Sequence, residues 1–157
     1  MTFSRTLLVL VTSLIYSHAA VAVDPSTVIS METTGTSTFY VKGEILGMGP
    51  VKMMVDTGSG YSTINEETLD ILKQQGKADY VKDLTGILAN GDRMVVKVYS
   101  ISAMNIGNNC WLKDIEVAVF PGKTRQILGL SALKKTSPFT FSVDPPELAL
   151  SNCVASL

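Results

Sequence analysis

Val51-Lys52-Met53-Met54-Val55-Asp56-Thr57-Gly58-Ser59-Gly60 is a mostly apolar run that ends in an acid, two hydroxyls and two glycines. Such a run reads as a buried strand, and glycines directly after it read as a turn in which backbone comes close to something. A carboxylate at the end of a buried strand is costly unless it is hydrogen-bonded or has a chemical task. Thr57 and Ser59 offer hydroxyls beside Asp56, while Gly58 and Gly60 let main-chain N–H groups approach it. An acid held this way can share a proton and activate a water. Taken alone, Asp-Thr-Gly is also an ordinary turn, so its surroundings decide.

Upstream, Phe39 to Leu46 reads as a strand that turns at Gly47-Met48-Gly49-Pro50 and returns through Val51 to Val55. The acid therefore leaves a hairpin. The Ser/Thr-rich stretch from Ser30 to Thr38 reads as a lead-in to it. Downstream, Tyr61 to Ile64 is a further extended piece, followed by a helix with Asn65 as N-cap. Glu66 and Glu67 suit its first turn, Leu69 and Leu72 its apolar stripe, and Lys73 and Gly76 its end. Tyr80 to Leu88 and Arg93 to Met104 flank Ala89-Asn90-Gly91-Asp92, where Asn-Gly signals a two-residue hairpin.

After a turn at Gly107-Asn108-Asn109, Trp111 to Phe120 alternates, with Trp111, Ile115, Val117 and Val119 on one side. Gln126 to Leu130 reads as a short buried strand, Ser131 to Lys135 as one helical turn capped by Ser131, and Phe139–Val143 with Glu147–Ser151 as a last hairpin. The sum is about nine short strands and one or two short helices, a mostly β domain of barrel or sandwich type.

Residues 1–22 read as a signal peptide: Arg5 is the charged start, Leu7 to Tyr16 the apolar segment, and Ala20-Val21-Ala22 a small-x-small cleavage site. The alternative is a retained N-terminal membrane anchor; the serines, threonines and His18 favour cleavage. Residues 23–157 then form one domain. Losing Arg5 leaves twelve basic residues against 14 acidic ones, which gives neither nucleic acid nor, once the leader is gone, an anionic membrane any purchase.

Cys110 and Cys153 are the two cysteines. In an exported protein the pair reads as a disulfide, with two buried thiols or metal ligation as the alternatives. The single histidine, His18, lies in the leader. Ser-His-Asp and Cys-His chemistry and histidine-based metal sites are therefore excluded from the mature chain. Ser131-Ala132-Leu133-Lys134 matches Ser-x-x-Lys, but its companion motifs are missing and the domain is too short for that fold.

A strand into Asp56-Thr57-Gly58-Ser59, a hairpin around Gly86 to Gly91, and Ile127-Leu128-Gly129 opening a short helix follow one another in the chain. In this order they resemble the retropepsin-like aspartic proteases, specifically exported bacterial members, over roughly residues 39 to 151. The resemblance implies a mostly β, retropepsin-like closed β-barrel of the acid-protease fold, one lobe per chain. It makes Asp56 catalytic, with Thr57, Gly58 and Ser59 in support, and Ile87, Leu88, Ala89, Asn90 and Gly91 the tip of a flap over substrate. Glu147 to Ser151 is then expected to knit a dimer.

Hydrolysis by carboxylates needs two, one ionised to take a proton from water and one protonated to polarise the carbonyl. Two such charges about 4 Å apart repel by about 4 kcal/mol at an effective dielectric of 20, so the pair keeps one shared proton. Aspartic proteases are the type example. This chain holds one Asp-Thr-Gly, so a homodimer is expected to supply the second acid.

The expected activity is cleavage of peptide or protein substrate with no metal and no cofactor, in the periplasm. Ile87, Leu88 and Met94 suggest apolar residues beside the scissile bond. The other class of function is a non-catalytic exported module that holds peptides in the same groove without cutting.

Overall fold

The computed structural model describes residues 27–35, 37–88 and 90–157. The expected leader and Ala89 of the expected flap lie outside the described residues.

In chain order the elements are β1 (Thr27–Ser30), β2 (Glu32–Thr34), β3 (Thr38–Ile45), β4 (Gly49–Val55), β5 (Ser62–Asn65), α1 (Glu66–Gln74), β6 (Ala78–Ile87) and β7 (Arg93–Ile106). There follow β8 (Cys110–Phe120), β9 (Ile127–Leu128), α2 (Leu130–Leu133), a 3₁₀ turn (Lys134–Thr136), β10 (Phe139–Ser142) and β11 (Glu147–Leu150). Neighbouring strands run β2-β3-β4-β9-β5-β8-β7-β6, and a further β3–β7 pairing joins the two arms of that sheet. Six strands, β3, β4, β9, β5, β8 and β7, thus form a closed barrel, with β2 and β6 left outside as edges. Closure depends on Gly43, which pairs with Ile106. A Cβ there would stand 2.2 Å from the Asn105 carbonyl oxygen, so the backbones meet only because position 43 has no side chain.

Inside, Val41, Ile45, Met53, Ile64, Ile101, Ile115, Val117 and Leu128 are buried, each large aliphatic contributing about 1.5–3 kcal/mol relative to exposure. α1 packs Leu69 and Leu72 inward, and the Asn65 side chain accepts from Thr68 N–H at 2.9 Å as its N-cap. Cys110 and Cys153 are disulfide-bonded, which ties the β7–β8 turn to the C-terminal tail. Among the described residues no helix is long and apolar enough to cross a membrane.

Several expectations need correcting. The lead-in contains the end of β1 and all of β2; Glu32, Thr33 and Thr34 are exposed on both faces, so no apolar alternation marks them. Along β8 the buried positions are Cys110 and Leu112, then Ile115, Val117 and Val119 with Ala118 between the last two, while Trp111 is only half-buried. Asp114 has φ +53, and the β7–β8 register has no pair at Ser102 and Asp114. Both strands bend there, which shifts the alternation by one. The β6–β7 loop is longer than an Asn-Gly turn predicts: Leu88 N–H donates to Asp92 O and Gly91 N–H to Leu88 O, both at 2.8 Å. Gly91 at φ +89 takes the left-handed position that a three-residue hairpin loop requires. Finally, β11 is the middle strand of a separate sheet, β1-β11-β10, so both its edges are occupied within one chain. The strand expected to knit a dimer therefore has no free edge of its own among the described residues.

Candidate active site

β4 delivers Asp56. Alternation turns Val51, Met53 and Val55 into the core and leaves Met54 and Asp56 on the opposite face, both half-buried. β9 lies beside β4 in parallel, pairing Met54 with Ile127 and Val55 with Leu128. Asp56 N–H donates to Leu128 O at 3.1 Å, anchoring the acid at the point where the ladder ends. Its carboxylate Oδ1 accepts from Gly58 N–H at 2.9 Å, and Ser59 N–H returns to Asp56 O at 3.2 Å. The loop therefore curls back so that a main-chain donor holds the acid, as expected for Gly58.

Ser59 has a different duty from the acid's. Its Oγ donates to Tyr61 O at 2.7 Å, and its carbonyl accepts from Leu130 N–H at 2.9 Å. Thr57 is exposed at the loop tip. Behind the loop, Ser62 Oγ accepts from Gly129 N–H at 3.0 Å, and Ser131 Oγ accepts from Ser62 N–H at 2.8 Å. Ser131 is thus a brace between the acid loop and α2; Gly129 takes the N-cap position, with no side-chain cap. Neither Ser62 nor Gly129 is marked by a sequence motif of its own, although Ile-Leu-Gly signals the segment.

The described residues of the expected flap lie apart from the acid in sequence, at the end of β6, the edge strand outside the barrel. Ile87 is 71% exposed at the end of β6, Leu88 is half-buried, and the Asn90 amide donates to Asp92 Oδ2 at 2.7 Å. The base of the hairpin reaches the acid loop through Lys82. Its ammonium lies 5.6 Å from the Tyr61 ring centroid and 3.3 Å from Glu116 Oε2. Tyr61 first, then Glu116, raise the Lys82 pKa above its ordinary value. Beside the acid, Met54, Thr63, Phe120, Thr124, Arg125 and Ile127 line a mainly apolar cavity of about 390 Å³. No motif marks this cavity in the sequence, because it is assembled from four separate segments.

The site offers one held carboxylate, an exposed loop tip and an adjoining side-chain-sized cavity; among the described residues no group of three or more His, Cys, Asp and Glu could hold a metal ion. Two solved structures are similar in fold. A retropepsin-like aspartic protease from Rickettsia conorii aligns at TM-score 0.55 and 21% identity, covering 83% of this chain and 92% of that one. The retroviral protease-like domain of Ddi1 from Leishmania major aligns at TM-score 0.53 and 19% identity, covering 75% and 91%. No curated protein matches the chain. The fold is retropepsin-like, as the order of motifs implied. A family model described as "gag-polyprotein putative aspartyl protease" matches residues 41–135, more than half of the chain and the whole of the Asp56 site, and the chain belongs to that family.

Proposed function

We propose that the chain is an exported aspartic endopeptidase whose active site forms between two copies. The observation that carries this reading is the Asp56 carboxylate, held by Gly58 N–H at 2.9 Å at the end of a barrel strand, in a chain with one Asp-Thr-Gly. Two Asp56 residues meeting at a two-fold axis give one ionised and one protonated carboxyl. The ionised acid takes a proton from water as the oxygen attacks the peptide carbonyl, and the protonated acid gives its proton to the carbonyl oxygen, so that the adduct is a neutral diol and the pair still holds one proton. The tetrahedral diol then collapses, breaking C–N as a proton passes to the leaving amine, with no covalent enzyme intermediate. Thr57 and Ser59 support the two loops, and the 87–91 hairpin covers an extended substrate. Export to the periplasm is supported by the leader pattern of residues 1–22 and by the Cys110–Cys153 bridge, which suits an oxidising compartment.

The test is a peptide library with wild type and Asp56→Asn, beside sedimentation over a range of concentrations. The expected result is cleavage by wild type in proportion to dimer and a loss of at least about a thousandfold in the variant. A folded Asp56→Asn protein that cuts at the wild-type rate refutes the assignment. A chain that stays monomeric at every concentration favours the peptide-holding module.

A further inference from the structure

The cavity beside Asp56 carries a preference that the dyad does not. Met54 is two residues before Asp56 on the same face of β4, about 7 Å away at the rise of a strand. Ile127 faces Met54 across the β4–β9 ladder, and Thr63 pairs with Ile127 from the other side. The three form a row across β4, β9 and β5, one strand repeat behind the acid, so a side chain close to the reacting bond of an extended peptide falls over them. The floor is apolar, with Phe120 closing one wall.

Arg125 is the one charged residue in that lining. Its guanidinium contacts are neutral and long: Nη1 lies 3.4 Å from Tyr40 OH and 3.7 Å from Met54 Sδ. It takes part in none of the ion pairs found among the described residues, which engage Lys42, Lys52, Lys82, Lys97 and Lys123 instead. A guanidinium has five donors in a planar fork that matches a carboxylate. An apolar trough ending in an unpaired fork fits a side chain with an aliphatic stem and a carboxylate head.

Resting on the peptidase reading above, we infer that this cavity is a subsite for glutamate near the scissile bond, with Arg125 as the residue that selects it. Methylenes of the substrate lie on Met54 and Ile127, and its carboxylate meets the Arg125 fork. The competing physical picture is an arginine whose stem merely covers apolar surface while its head stays in water.

The experiment uses two readouts. Octapeptide pools with Glu, Gln or Leu fixed at each position in turn are measured for binding to the Asp56→Asn protein and for cleavage by wild type. At one position Glu should bind about tenfold better than Gln, the size of one charge-assisted hydrogen bond. The ratio should fall to about one in an Asp56→Asn/Arg125→Gln protein, and Arg125→Glu should favour Lys instead. It should also shrink as pH drops below about 4, where glutamate is neutralised. Equal binding of Glu and Gln at every position, absence of binding included, overturns the subsite. So does a glutamate preference that survives Arg125→Gln. Peptides bound with the preference but never cut by wild type refute the peptidase and uphold the subsite.

Discussion

Replacing Gly129 by alanine puts a methyl group where two backbones already touch. An ideal Cβ on residue 129 stands 2.2 Å from Tyr61 O, 2.6 Å from Tyr61 C and 2.9 Å from Ser62 N. All three are main-chain atoms, so no side chain can swing aside, and the segments have to part by about 1 Å. Four hydrogen bonds span that seam: Gly129 N–H to Ser62 Oγ at 3.0 Å, Leu130 N–H to Ser59 O at 2.9 Å, Ser62 N–H to Ser131 Oγ at 2.8 Å, and a long one from Ser62 Oγ to Gly129 O at 3.5 Å. Overpacking of this kind costs about 1–3 kcal/mol, and losing two of the bonds adds about 1 kcal/mol each. The stiffer unfolded chain of the alanine variant returns about 0.4–1 kcal/mol. The expected net is a loss of about 2–4 kcal/mol, or a fall in Tm of roughly 6–12 °C for a domain of this size. Because Asp56 N–H is held by Leu128 O, the acid should also be displaced, and cleavage should fall even where the variant is folded. Urea unfolding followed by circular dichroism reads the first effect. Gly60→Ala is the control, with nothing within 4 Å of its Cβ and an expected change within about 0.5 kcal/mol. A Gly129→Ala protein as stable as the control would refute the claim that close backbone contact holds the acid loop on β9.

Two further outcomes test the frame around the site. Removing the Cys110–Cys153 bridge, by reductant or by the double alanine variant, opens a loop with a sequence separation of 43 and should cost about 4 kcal/mol in the chain-entropy picture; an unchanged urea midpoint under reductant contradicts this. Glu32 sits 2.7 Å from both Lys42 and Lys52, and their hydrogen bonds, Lys42's first, lower its pKa from 4.5 to about 2. A folded-state value below the unfolded one means that its contribution is complete above about pH 4.5 and is lost as pH falls toward 2. Urea midpoints taken between about pH 5 and 3 should therefore drop less steeply in Glu32→Gln than in wild type, and parallel profiles would count against the pairing.

Much of the fold was legible because its signals are local. The Asn65 cap, the acidic first turn and the Leu69/Leu72 stripe specify α1 within nine residues, and apolar alternation specifies β4. Glu32–Thr34 was missed for the opposite reason: an exposed edge strand needs only a partner's free backbone groups, and any polar residue serves. The two-residue reading of Asn90-Gly91 failed because loop length is set by the register of β6 on β7, which Ile87 opposite Arg93 fixes. Trp111 was assigned to the inner row because a break in the ladder opposite Ser102 leaves no mark in the alternation before it occurs.

The sequence by itself determined that Asp56 follows a buried strand, that Gly58 stands where its amide can hold the acid, and that His18 is the one histidine of the chain, 38 residues before the acid. These are properties of adjacent residues and of composition. Only the tertiary structure decided that Ser62, Gly129 and Ser131 brace the acid loop, that β11 is enclosed by β1 and β10, and that Arg125 stands over a trough next to Asp56. Most of these bring together residues tens of positions apart, through the β4-β9-β5 pairings at the acid and the β1–β11 pairing at the termini.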